Sequence, residues 1–387
     1  MRNTSNPVFN DNKLKLGIFC TNGAGAAMTT LPERYQTSWP LSIETARMAD
    51  EAGLEAIVPY ARWKGYTGKA DDSSGVVMDP MTWAAGIAQA TSYSAVFATT
   101  HAPTVHPLLA AKQGATVDII SGGRFALNVV GGWNKPELEM FGAPLKEHDQ
   151  RYDQLQEWLE IVERLWTDDE EFTHHGEFYN VIRGTSAPKP VQKPHPPIMN
   201  AGGSGRGRRF ACEFADICFV LVGSLDPEKI TAQVSEIKNF GRTEFGREVQ
   251  VWTTTFVVQR DTDQEARDYH RWYSIENEDT ANVDAWMRLQ QEQTQVLPPA
   301  VLAQMRHRFA SGAGGVPLVG TAQTIADRLS MLAGCGIDGL LLTWVDYVDG
   351  IKRFTEGVLP LIEEAGLRAP FQPRSASAGG DDQHLGA

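Results

Sequence analysis

Eight short apolar runs, at 14–20, 56–59, 95–100, 124–130, 197–201, 217–222, 249–258 and 339–344, recur along the chain. Runs of this length bounded by glycine, proline and polar residues read as strands buried on both faces. Stretches with helical spacing separate them, at 42–52, 80–91, 107–120, 151–166 and 208–214; in 151–166 the apolar stripe is Leu155, Leu159, Val162 and Trp166. Such alternation builds either a doubly wound sheet or a (β/α)8 barrel. Eight units, and no glycine-rich dinucleotide turn after the first strand, favour the α/β (TIM) barrel.

A chain of 387 residues holds such a barrel with insertions. One insertion is expected after strand 4, where 167–196 reads as a β-hairpin and a proline-rich crossing with His174-His175 in a solvated turn. The other is expected after strand 7, where 272–318 is polar, glutamine-rich and helical, ending in Ser311-Gly312-Ala313-Gly314-Gly315. A glycine-rich end suits a mobile lid; a static decoration is the alternative. Residues 1–13 are expected to be a flexible N-terminus, 14–370 a single domain and 371–387 a disordered tail. No apolar run approaches the ~20 residues of a membrane span, and 1–13 lack the apolar stretch of a secretory signal. Cys20, Cys212, Cys218 and Cys335 are scattered without a CxxC pair, which favours a reducing cytoplasm. A net charge of −13 argues against nucleic acid as a partner.

The run 122–133, GGRFALNVVGGW, places a polar residue, Asn128, inside an apolar strand. A buried amide is costly unless hydrogen-bonded, so Asn128 needs a partner, and a ligand is one candidate. After the next loop, Arg151-Tyr152 opens a helix and supplies donors suited to a phosphate. The turn 201–207, AGGSGRG, follows the fifth strand and also opens a helix. Its glycines allow close backbone approach, the helix N-terminus offers free N–H groups, and Ser204 adds a hydroxyl. A plain tight turn explains the same glycines, and the spacing is neither GxGxxG nor a P-loop.

His101 and His106 follow the third strand. Their five-residue spacing through a proline-containing loop, with no acidic cluster at another strand end, disfavours metal and favours histidines that shape a substrate pocket. Trp39, Trp63, Trp83 and Trp133 lie near strand ends, either as packing residues or as an aromatic pocket. No GxSxG or HExxH motif is present, so a bound cofactor is expected to carry the hard chemistry.

The segments SGGRFALNVVGGW, KPELEMFG, HDQRYD and PIMNAGGSGRG, in this order, closely resemble the bacterial luciferase-like flavin monooxygenases. Tyr60-Ala61-Arg62-Trp63-Lys64-Gly65-Tyr66 and the closing GIDGLLLTWVDYVDGIKRFTEGVLPLI fit the same family. Within it the chain is most similar to the branch of uracil-ring-opening, alkanesulfonate and dialkyl-sulfone monooxygenases. The resemblance implies a barrel that binds FMN at its C-terminal face. The cofactor would arrive as FMNH2 from a separate NAD(P)H:flavin reductase, with O2 as co-substrate, in a homo-oligomeric enzyme. It further implies that Ala61 and Arg62 border the flavin, Asn128 meets the isoalloxazine edge and Glu137 lies near it. Arg151, Tyr152, Gly203 and Ser204 would hold the phosphate. Thr99 aligns with a threonine that lines the oxygen pocket beside the asparagine in the uracil-cleaving branch, which uses a flavin N5–oxygen adduct. Trp63, His101, His106 and Trp133 would form the substrate pocket, with His101 as proton donor or acceptor. The pattern Thr99-Thr100-His101 with His106 departs from the sulfone and uracil enzymes and leaves the substrate open among heterocyclic, organosulfur and C–N or C–S bonded compounds. An anionic sulfonate would pair with Arg62 and Lys64 unless Arg62 serves the flavin. Three alternatives stand beside this reading: a deazaflavin (F420)-dependent oxidoreductase of the same superfamily, a non-catalytic flavin-binding barrel, and a barrel hydrolase.

Overall fold

The computed structural model describes residues 5–69, 72–203, 205–291 and 299–372. In chain order its strands are β1 (Lys15–Phe19), β2 (Ala56–Val58), β3 (Ala95–His101), β4 (Phe125–Val130), β5 (Phe172–His175), β6 (Asn180–Gly184), β7 (Ile198–Asn200), β8 (Ile217–Phe219), β9 (Gln250–Gln259), β10 (Val316–Gly320) and β11 (Gly339–Thr343). β1, β2, β3, β4, β7, β8, β9 and β11 pair in parallel, and the β8–β9 pairing closes them into a barrel. These are the eight apolar runs of the sequence, so the fold is the expected (β/α)8 barrel.

Strand alternation decides what reaches the site. Successive side chains point to opposite faces. On β3, Ala95 and Phe97 pack in the lumen with Ala126 of β4, Met199 of β7 and Trp252 of β9. Val96 and Ala98 face the surrounding helices. The same parity, carried up to the mouth, puts Thr99 and His101 of β3 and Asn128 of β4 on the lumen side. The register pairs Thr99 with Asn128.

The floor of the barrel is sealed by residues expected to be flexible. Pro7–Phe9 forms a short 3-10 turn, and Val8 enters the lumen cluster. Asn6 donates to the Phe125 carbonyl (3.3 Å) and to Gln192 Oε1 (3.0 Å). Sequence patterning misses this plug because its partners lie far along the chain. Order also extends past residue 370, where the Phe371 ring packs on Tyr93 at 4.5 Å. The rest of the tail expected to be disordered, 373–387, lies outside the described residues.

Helices begin where the sequence offers caps. Ser38, Asp79 and Asp226 accept from the first turns of Trp39–Glu51, Pro80–Ala90 and Pro227–Phe245, each with proline at the start. The helix His148–Thr167 starts three residues earlier than the expected 151, so Arg151 and Tyr152 sit inside its first two turns instead of opening it.

Both insertions fall where expected. After β4 comes the antiparallel β5–β6 hairpin. His174 is not in a solvated turn: it lies in β5 with Nε2 3.0 Å from Glu157 Oε1. Glu157 also accepts from the backbone N–H groups of Phe178 and Tyr179 and so ties the hairpin to the helix beneath. After β9 the chain forms the helices Asp263–Arg271, Thr280–Gln291 and Pro299–Gly312, then β10. Residues 316–318, expected within the helical insertion, belong instead to β10, an edge strand paired with β9, where Pro317 is tolerated. Among the described residues no helix is long and apolar enough to cross a membrane.

Candidate active site

The C-terminal ends of the strands open into a cavity of about 800 Å³. Its wall draws on the loops after six elements, represented by Cys20, Arg62, Trp133, Gly203, Val222 and, from the insertion after β9, Arg308. Of the residues singled out in the sequence, Arg62, Trp133 and Gly203 line it, whereas Thr99, Asn128, Glu137, Arg151 and Tyr152 lie outside its wall; their contacts divide them into three groups.

The first group is the lumen pair below the mouth. The Thr99 hydroxyl donates to the Pro59 carbonyl at 2.6 Å. A carbonyl cannot donate, so Thr99 Oγ1 must accept from its other neighbour, and that neighbour is Asn128 Nδ2 at 3.0 Å. This fixes the amide orientation of Asn128. Asn128 Oδ1 is left buried without a partner. A buried acceptor with no donor is a cost the fold bears unless a ligand N–H meets it.

The second group is the β4–helix junction and the glycine turn. Arg151 Nη1 donates to the Gly132 carbonyl at 2.9 Å, which anchors the side chain beside Trp133. Its Nε is buried and unpartnered. Asn200, at the end of β7, donates to the Val129 carbonyl (2.7 Å) and accepts from Gly202 N (2.8 Å), holding the turn in place. A Cβ at Gly207 would lie 2.6 Å from the Tyr152 phenol, so this glycine is required by the tyrosine ring. A Cβ at Gly203 would meet nothing within 4 Å, and Gly203 lines the cavity. Among the described residues no neighbour therefore demands that glycine. Ser204 lies outside the described residues.

The third group surrounds Arg62. Its guanidinium carbon sits 4.2 Å from the Tyr66 ring centroid and 5.4 Å from that of Trp133. Burial alone would lower its pKa, but Tyr66 and Glu137 together raise it. Glu137, 1% exposed, stands 3.4 Å from Arg62 Nε and accepts from the backbone N–H groups of Trp63 (2.6 Å) and Lys64 (3.2 Å). One carboxylate thus joins the loop after β2 to the loop after β4. His101 Nδ1 is 3.9 Å from Glu137 Oε2. Burial, and then Arg62, push the His101 pKa down to about 4, so the ring is neutral at pH 7 and this contact is not an ion pair.

Several expectations need correction. His101 is not part of the cavity wall: it faces Glu137, which in turn meets Arg62 of the wall. His106 is the cap of the helix Pro107–Ile120, its Nδ1 accepting from Leu108 N at 3.3 Å, with its ring edge-on to Tyr179. Trp63 turns away from the cavity and packs edge-on against Phe141 at 5.3 Å. Ala61 is buried beside the loop and is not part of the wall. Lys64 is absent from the wall, and Arg62 is already held by Glu137, so the pair expected to meet a sulfonate does not form. Of the four tryptophans, Trp133 lines the cavity; Trp83 is core and Trp39 packs over Gly86. Sequence reading missed Tyr66, Arg34 and Arg308 as wall residues. No sequence signal separates Arg308 from Arg306, since neither has an acidic residue three or four positions away on its helix.

The sequence pattern of the luciferase-like monooxygenases matches residues 14–339. The FMNH(2)-dependent dimethylsulfone monooxygenase of Pseudomonas putida is 30% identical over 370 residues, covering 91% of this chain and 96% of the relative. The pyrimidine monooxygenase RutA of Acinetobacter baylyi is 29% identical over 93% of this chain and 98% of its own. Among solved structures, the long-chain alkane monooxygenase LadA superposes with a TM-score of 0.81 at 22% identity, over 94% of each chain, and so shares the fold. Matched by the family pattern across most of its length, the chain belongs to the luciferase-like monooxygenase family.

Proposed function

We propose that the protein is the oxygenase of a two-component system: it takes FMNH2 made by a separate NAD(P)H:flavin reductase and uses O2 to oxygenate a small organic substrate. Bound reduced FMN would supply the activation of O2 and the transfer of one oxygen atom. The observation that carries this reading is the orphaned Asn128 Oδ1, held in place by Thr99 below an open cavity. An acceptor suits a ring N–H, and a reduced flavin has more of these than an oxidised one.

The chain's own residues would divide the work. Arg151 Nε, the open side of Gly203 and, on sequence grounds, Tyr152 and Ser204 would hold the phosphate, at the head of the helix Gly205–Phe214. Asn128 would orient the ring and Thr99 would orient Asn128. Glu137 would position Arg62 and with it Tyr66 and Trp133. The insertion at 272–318 would act as a lid that keeps water from the reacting atoms. His101, neutral and behind Glu137, would tune that carboxylate instead of exchanging protons with substrate. The names of the relatives, dimethylsulfone and pyrimidine monooxygenases, support a small organic substrate.

The test is a reductase-coupled screen of small organosulfur, heterocyclic and acidic compounds under isotopically labelled O2. Label in one product, dependent on FMN and reductase, is the expected result. Turnover without O2 on a deazaflavin cofactor would instead place the chain with the dehydrogenases of the superfamily.

A further inference from the structure

Charge on this molecule is unevenly placed. The chain carries a net charge of −13, yet the cavity wall presents Arg34, Arg62 and Arg308 against one carboxylate, Asp279. Asp279 is engaged at the head of the helix Thr280–Gln291, accepting from Asn282 N (3.3 Å) and Nδ2 (2.8 Å). Arg62 is met by Glu137. Arg34 and Arg308 remain.

Arg308 contrasts with its neighbour Arg306 on the same helix, Pro299–Gly312. Arg306 pairs with both Glu278 and Asp284. Arg308 binds only backbone carbonyls, Val222 O through Nη1 (2.6 Å) and Gly315 O through Nε (3.1 Å). These bonds fix the fork without neutralising it. Its Nη2 is buried and unpartnered, and burial holds its pKa below the usual arginine value. Arg34 is similar: Nη1 donates to Ser73 Oγ (3.0 Å) and Nε is buried without a partner. No carboxylate among the described residues forms an ion pair with either. A partly desolvated guanidinium without a counter-charge is costly, and its planar fork suits a carboxylate or a sulfonate. Between these cations the wall is mostly apolar, with Phe19, Leu221 and Trp286 among its residues.

We propose that this cavity binds an amphiphilic organic acid, its anionic head held by Arg308 with Arg34 as a second cation on the wall and its apolar body against the remaining wall. As a statement about the substrate it rests on the monooxygenase reading; as a statement about binding it does not. The flavin phosphate is the other anion that enters such a cavity, and Arg151 with the glycine turn already offers it a seat.

The experiment compares matched pairs by calorimetry on the intact protein, with and without FMN: octanoate against octanamide, and octane-1-sulfonate against methyl octyl sulfone. Wild type, R308Q, R308K and R34Q are measured, together with FMN affinity in each. A charge-assisted contact predicts that each acid binds about tenfold or more tightly than its neutral partner. R308Q should erase most of that preference, R308K should restore part of it and R34Q should weaken it, with FMN affinity within about twofold throughout. Equal binding of acid and neutral partner by wild type, or binding of neither, overturns the proposal without reference to any variant's folding. Loss of FMN affinity in R308Q with the acid preference intact overturns it too, and assigns Arg308 to the flavin phosphate. Wild-type protein that prefers the acids but binds no flavin in either redox state would sustain this inference while removing the oxygenase reading.

Discussion

The two ends of the barrel treat buried polar groups in opposite ways. At the floor, charges close on one another. Arg368 Nη1 meets Glu55 Oε2 at 2.5 Å, and Glu55 also accepts from Leu16 N, Asn10 and Asn12. Asp216 accepts from Ile198 N and pairs with Arg247 at 3.0 Å; Asp338 accepts from Val251 N and pairs with Lys238 at 2.8 Å. Each of these acids stands just before a strand and accepts from the N–H of the first or second residue of a neighbouring strand. One floor group, Arg368 Nε, is left over. Toward the mouth, atoms are left unpartnered: Arg34 Nε and Arg308 Nη2 on residues of the cavity wall, and Asn128 Oδ1 and Arg151 Nε on residues outside it. The floor uses polar groups to fix strand positions, whereas the mouth holds polar groups rigid but unmet. The difference separates residues that serve stability from residues that await a ligand.

Breaking the floor gives the largest effect. Glu55→Ala strands the buried Arg368 charge and should cost about 3–5 kcal/mol in urea denaturation, with little change in the flavin affinity of the protein that remains folded. A loss below about 1 kcal/mol would mean that the floor ion pair does not anchor the barrel.

At the mouth the sign reverses. Arg151→Ala should leave the urea midpoint almost unchanged and weaken FMN in both redox states by about 1.5–3 kcal/mol, the range for hydrogen bonds to charged groups. Destabilisation with unaltered FMN affinity would move Arg151 to the structural side of the comparison.

A pH series sharpens the contrast. Burial, and then Arg62, hold His101 near about 4, and burial, and then His307, do the same for His270, against an ordinary value of 6.5. Between those values the unfolded chain binds more protons than the folded one. The stability these neutral rings contribute is therefore complete above pH 6.5 and is lost as pH falls toward about 4. Urea midpoints should drop between pH 7 and pH 5, and His101→Gln should flatten part of that slope. An unchanged slope would show that His101 titrates normally.

The smallest effect compares two glycines of one turn. Gly203→Ala faces open space and should change stability by less than about 0.5 kcal/mol while weakening FMN. Gly207→Ala collides with Tyr152 and should destabilise the fold itself. Equal stability of the two variants would show that the tyrosine ring yields.

Legibility in the sequence follows the same divide. The barrel strands were readable because each is a short apolar run with its own turn signals, whereas the pairing of Thr99 with Asn128 rested on the family resemblance until the strand register showed it. β10 was hidden inside the stretch read as a helical insertion, and the floor plug by partners such as Gln192 that lie far along the chain. The mouth was readable where a residue broke a local pattern, as Asn128 does inside an apolar strand. It was not readable where meaning depends on what stands opposite. His106 looks like a pocket histidine until its cap bond to Leu108 is seen. Arg306 and Arg308 look alike until one meets two carboxylates and the other none.

The most direct test of the central claim is an anaerobic titration of wild type and Asn128→Ala with FMN and with FMNH2, each paired with a urea denaturation curve. The account predicts that FMNH2 binds wild type more tightly than FMN, that Asn128→Ala removes most of this redox preference, and that the urea midpoint does not fall. An Asn128→Ala protein that is less stable yet binds FMNH2 as wild type does would contradict it.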